Sequence, residues 1–159
     1  SRVGPTLKKI QDTYGSDVQI VWKHMPLAMH KKAPAAHAAS VAAHKQGKFW
    51  EMHDELFANQ RALEPAQLPV YASNVGVADA AAFQECLDSG KYAGQIESSM
   101  QAGARLGVRG TPSFGLGYTE DGGKSVRVVK LIRGAVPLVQ FQEAIDALLH
   151  GQPPVEGSN

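Results

Sequence analysis

Apolar residues recur along this chain in two periods, one helical and one extended, and the switches between them divide it. Val3, Leu7, Ile10 and Tyr14 fall at steps of four, three and four, with Lys8, Lys9, Gln11 and Asp12 between them. That spacing predicts a helix with one buried face, and Gly15 suits its C-terminal stop. Pro5 falls in the first turn, where its missing N–H costs little, if the helix begins near Ser1; it would kink a helix begun several residues earlier. Val18, Ile20 and Trp22 then alternate with Gln19 and Lys23, which predicts a strand ended by Met25-Pro26.

From about Ala33 to Leu106 the strand signals vanish. Ala35, Ala36, Ala38, Ala39, Ala42 and Ala43 predict a strong helix whose small side chains permit close packing, broken at Gly47. Phe49, Trp50, Leu56 and Phe57 mark a second helix. Pro65 stands where a first helical position belongs, followed by Leu68, Tyr71, Ala72 and Val75 on one face. Asp79 suits the cap of a short helix carrying Phe83 and Leu87, and Asp88-Ser89-Gly90 reads as a turn. Tyr92, Ile96, Met100 and Leu106 then give a longer helix that ends at Gly107. Two short apolar runs, Phe114–Tyr118 and Val126–Ile132, flank Glu120-Asp121-Gly122-Gly123-Lys124, a hairpin signal. Gly134 ends the second run, and Pro137 opens a last helix with Leu138, Phe141, Ile145 and Leu148. The order is helix, strand, about five helices, two strands, helix: an α/β frame interrupted by a helical block. Residues from His150 onward read as a frayed tail.

Composition changes this picture little. The chain has 159 residues, enough for one domain with a real core, 43% of them hydrophobic and 19% charged. No run approaches the ~18 apolar residues of a membrane span. A net charge of +1 gives no global reason to expect nucleic acid. The first fifty residues are basic and the remainder net acidic, an asymmetry that a solvated surface accounts for. The front of the chain reads as trimmed, because Ser1 is not a natural start and Arg2-Val3-Gly4-Pro5 shows no apolar signal region.

The corner between the helical block and the hairpin carries the sharpest local signal. Pro112 has no N–H to give a sheet, and it pushes Thr111 toward extended geometry. Taken alone, Gly110-Thr111-Pro112 reads as a trans X–Pro turn, since only about 5% of X–Pro bonds in folded proteins are cis. The wider run Gly107-Val108-Arg109-Gly110-Thr111-Pro112-Ser113-Phe114 resembles the cis-proline loop of the DsbA-like thiol-disulfide oxidoreductases, a branch of the thioredoxin superfamily. Met25-Pro26-Leu27 with His30, Gly47 to Phe57, and Phe83 to Tyr92 resemble the same family in the same order, so the likeness covers nearly the whole chain to about Leu149.

The resemblance implies a thioredoxin-like fold made from residues 1–28 and 107–149, with a helical insertion over 29–106 and a flexible tail over 150–159. It implies that Gly110, Thr111 and Pro112 line a groove and present backbone groups to an extended, cysteine-containing protein substrate. It implies a redox partner protein, an extracytoplasmic or periplasmic setting, and no metal or other cofactor. It also implies a first strand and a Cys-x-x-Cys whose second cysteine immediately precedes Ser1. Exchange needs both cysteines: a thiolate attacks a disulfide through a mixed disulfide, and the second thiol resolves it. This chain carries only Cys86. That residue sits late in a short helix, away from any activating helix start, and reads as a small buried hydrophobe. No catalytic residue is therefore assigned within residues 1–159.

Two other readings use the same groove: a redox-inactive peptide-binding module, and a glutathione-dependent isomerase or transferase with serine in place of the first cysteine. A chain truly beginning at Ser1 would leave sheet edges unpaired, so the missing strand is expected from residues ahead of Ser1 or from a second copy. The histidines give no metal signal. His37 and His44 are seven apart, about 10 Å along a helix, whereas chelating pairs stand at i, i+4. His30 and His53 read as packing or capping residues.

Overall fold

Helix α1 (Gly4–Tyr14) opens on Pro5 within its first turn, where no intrahelical N–H is lost. The structure is a computed structural model that describes residues 3–151. The chain divides into two compact units, Ser1–Trp22 with Leu106–Asn159, and Lys23–Arg105.

In the first unit, the periodic face of α1 meets the apolar face of α7 (Leu138–Leu149). Val3, Ile10, Phe141, Ala144 and Ile145 are buried together with Ile132. The Tyr14 hydroxyl donates to Asp146 Oδ1 at 2.7 Å and ties the two helices at one end. Burial, and then the Asp146 hydrogen bond and charge, push this phenol up to about 12. Strands β1 (Ser113–Glu120) and β2 (Ser125–Arg133) form an antiparallel pair, joined through Asp121, Gly122 and Gly123. All three connecting residues have positive φ (51°, 66° and 89°), a geometry that two glycines make inexpensive. Phe114 pairs with Ile132 on the core side, and the Phe114 ring meets Phe141 edge-on at 4.9 Å. A bulge between Leu116 and Gly117 shifts the register, so Leu116 faces Lys130 but Gly117 faces Val128.

In the second unit, α2 (Ala33–His44) runs against α3 (Phe49–Ala58), α4 (Leu68–Asn74) and α5 (Ala80–Ser89). Its alanines make this possible: Ala36, Ala39, Ala42 and Ala43 are buried, and side chains of one carbon let neighbouring backbones come close. Met52, Leu68 and Phe83 fill the space that these alanines leave. Asp79 caps α5, its Oδ1 accepting from the Ala82 N–H at 2.8 Å. Gln46 clamps the same residue, donating to its carbonyl and accepting from its N–H, both at 2.9 Å. Helix α6 (Ala93–Arg105) completes the unit.

Three local expectations need correction. The segment from Val18 to Lys23 is not a strand, although Val18 is extended (φ −127°, ψ 122°). Its alternation holds, with Val18, Ile20 and Trp22 half-buried and Gln19, Val21 and Lys23 exposed. Alternation decides which side faces inward, but a strand also needs a neighbour's backbone groups, and the sheet among the described residues is β1 with β2. Pro65 opens a short 3₁₀ turn, and α4 begins only at Leu68 with Pro69 in its first turn. Helix α6 ends at Arg105, which leaves Leu106 outside it and exposed. The tail expected over 150–159 lies outside the described residues, save His150 and Gly151.

Candidate functional site

The corner that precedes β1 is built by two hydrogen bonds. The Ser113 hydroxyl donates to the Gly110 carbonyl at 2.7 Å and closes the loop on itself. The Gly134 N–H donates to the Pro112 carbonyl at 2.8 Å, carrying the β1–β2 pairing one step past Ser113 and Arg133. The Thr111–Pro112 peptide bond is cis. Gly110, Thr111 and Pro112 thus share one loop at the end of a strand pair, with Gly110 half-buried and the other two exposed. Thr111 makes no hydrogen bond among the described residues, which leaves its N–H and C=O unpaired there. A free donor and acceptor beside the end of a strand can pair with an extended backbone.

A second cluster gathers in the helical unit around His24, a residue the sequence patterns did not single out. His24 lies in the loop before α2, only 6% exposed, and its Nδ1 stands 2.9 Å from Nδ1 of His37. A hydrogen bond between two such nitrogens needs one ring to carry its proton on Nδ1 and the other to accept. Burial lowers the proton affinity of both rings. His24 is pushed down by burial and then by the charges of Lys23 and His44; His37 falls to about 4 through burial and then His24. The pair is therefore neutral at pH 7. Phe49 lies edge-on to His24 at 6.3 Å and to His44 at 6.0 Å, and His53 packs between Trp50 and Phe57 at 5.4 and 4.6 Å. His53 also meets Asp54 Oδ1 at 2.9 Å, while His30 is exposed. Sequence spacing found none of this, because His24 and His37 are thirteen residues apart on a loop and a helix and share no period. Among the described residues no group of three or more His, Cys, Asp or Glu side chains is placed to hold a metal ion.

Cys86 is in the core of the helical unit, 7% exposed, with its sulfur 3.9 Å from the Tyr92 hydroxyl. No helix among the described residues is long and apolar enough to cross a membrane.

A family model described as "DSBA-like thioredoxin domain" matches residues 2–146. The chain is also similar to segments of three curated proteins. It is 40% identical over 111 residues to Na(+)/H(+) antiporter NhaA 3 of Salinispora tropica, covering 69% of this chain and 17% of that protein. It is 39% identical over 100 residues to Na(+)/H(+) antiporter NhaA 1 of Salinispora arenicola, covering 62% and 15%. It is 36% identical over 101 residues to Na(+)/H(+) antiporter NhaA of Herminiimonas arsenicoxydans, covering 64% and 16%. The chain thus spans less than a fifth of the length of these relatives.

Proposed function

This chain belongs to the DSBA-like thioredoxin domain family, with its mixed α/β thioredoxin-like fold, and on that premise we propose that it is the substrate-gripping part of a thiol-disulfide oxidoreductase acting on extended protein segments. The observation that carries this reading within the chain is exposed Thr111, whose backbone groups make no hydrogen bond beside the end of β1. An extended substrate aligned there gains main-chain hydrogen bonds without regard to its side chains, which suits an enzyme that accepts many unfolded proteins. Proteins of this family generally act outside the cytoplasm, where disulfides persist.

The exchanging cysteines are assigned to a Cys-x-x-Cys ahead of Ser1. A substrate thiolate attacks one sulfur of that disulfide; the S–S bond breaks, a mixed disulfide forms, and the second motif sulfur leaves as a thiolate. A second substrate thiolate then attacks the mixed disulfide and frees the first motif sulfur. Two electrons and two protons pass from the substrate's thiols to the motif pair, and run in reverse the same steps reduce a substrate. Redox partner and direction follow from potentials outside these residues.

A second reading is a peptide-binding module without redox chemistry, in which the buried Cys86 serves packing alone. In the relatives named as Na(+)/H(+) antiporters, the similar segment is a minor part of a longer chain, so in that reading the fold serves as an accessory to a larger protein. One experiment separates the two. The full natural-length protein, oxidised and freed of small thiols, is mixed with a reduced peptide carrying two cysteines. Loss of one protein disulfide for each peptide disulfide formed supports exchange; peptide binding with the protein disulfide intact and the peptide still reduced leaves the binding module.

A further inference from the structure

We propose that the corner at Thr111 and Pro112 selects extended segments that carry an acidic side chain near the residue it grips; the inference rests on the peptide-gripping reading above. Its starting point is a one-sided charge. Residues 98–119 and 122–142 contain no Asp or Glu. Within the first unit, these stretches carry Arg109, Lys124, Arg127, Lys130 and Arg133. At the far end of the hairpin the excess is answered, since Arg127 pairs with Glu120 at 2.8 Å. At the corner end it is not. Arg109 and Arg133 are exposed, and neither has an ion-pair partner among the described residues.

Their placement gives the excess a direction. Arg133 stands opposite Ser113 in the ladder, and cross-strand partners project from the same face of a sheet. The Ser113 hydroxyl turns to Gly110, so that face is the loop's face. The Arg133 guanidinium follows it, reaching to 3.8 Å from where a Cβ on Gly107 would stand. Arg109 stands two residues before Thr111 in the chain. Exposed Thr111 and Pro112 therefore have one arginine just before them in the chain and another across the ladder from Ser113. A guanidinium grips a carboxylate through two parallel N–H donors, a geometry that the point charge of lysine does not offer. An acidic residue one or two places from the gripped residue, at about 3.3 Å per residue, falls within reach of such a fork.

The test uses the full natural-length protein and three peptides, each acetylated and amidated so that no terminal charge competes. They share two cysteines and differ only in flanking Glu, Gln or Lys. Binding is read from the anisotropy of a labelled peptide, and exchange from the mass of the peptide as its two thiols become a disulfide, at low and high salt. The Glu peptide should bind and exchange about three- to tenfold better than the Gln peptide, and the Lys peptide worse, with the order compressed by salt. In the double variant Arg109→Gln with Arg133→Gln, the Glu peptide should fall to the level of the Gln peptide. Equal behaviour of all three peptides overturns the acidic preference and leaves the exchange reading standing. Ranked binding without exchange sustains the preference and removes the exchange reading. No binding of any peptide overturns both.

Discussion

Nδ1 of His24 lies 2.9 Å from Nδ1 of His37, inside the helical unit where both rings lose proton affinity to burial. A folded-state value for His37 of about 4, below the ordinary 6.5, means that the unfolded chain binds the proton more readily. Stability from this source is complete above about pH 6.5 and is lost as pH falls from there through about 4. Urea midpoints followed across that window should fall with acid in the wild type and fall less steeply in His37→Gln. An identical slope in both proteins would show that the pair does not control acid stability.

Gly117 sits at the β-bulge with no room for a side chain. A Cβ there would stand 2.0 Å from the Arg127 carbonyl oxygen and 2.7 Å from its carbon, both backbone atoms. At Gly115 the nearest atoms are the Val128 methyls at 3.2 Å, which can yield. Gly117→Ala should cost about 3 kcal/mol or more, and Gly115→Ala about 1. Chemical denaturation of both variants checks the contrast, and equal costs would mean that the strands separate freely at the bulge.

Asp79 holds the start of α5 through its side chain and the Gln46 clamp through its backbone. Asp79→Ala should remove the first and keep the second, at a cost of about 0.5–2 kcal/mol. Asp79→Ser, which keeps an oxygen acceptor, should recover most of the loss. The denaturation midpoints of the two variants give the comparison, and equal losses would assign the effect to something other than the cap.

Cys86 packs as a hydrophobe in the core of the helical unit. Reaction with an aromatic disulfide reagent should be slow in the folded protein, at the rate of structural opening, and fast once denaturant is added. Rapid native labelling would mean that the thiol is accessible and available for chemistry after all.

Local periodicity carries far in this protein because hydrophobic burial acts on each segment's own pattern. The face of α1 made by Val3, Leu7 and Ile10, the alanine helix α2, the Asp79 cap and the hairpin around Asp121-Gly122-Gly123 were all legible in residue order. So was the corner at Gly110, Thr111 and Pro112, since proline fixes the backbone and glycine frees it wherever they stand. What residue order did not contain is which neighbour each segment meets. The run from Val18 to Trp22 alternates correctly yet joins no ladder, because pairing depends on a second backbone and not on the strand's own residues. The bulge at Gly117 and the reach of Arg133 toward Gly107 follow from register, set by two strands together. The contact of His24 with His37 spans a loop and a helix, and only the packing of the helical unit brings those two rings together and lowers their proton affinity.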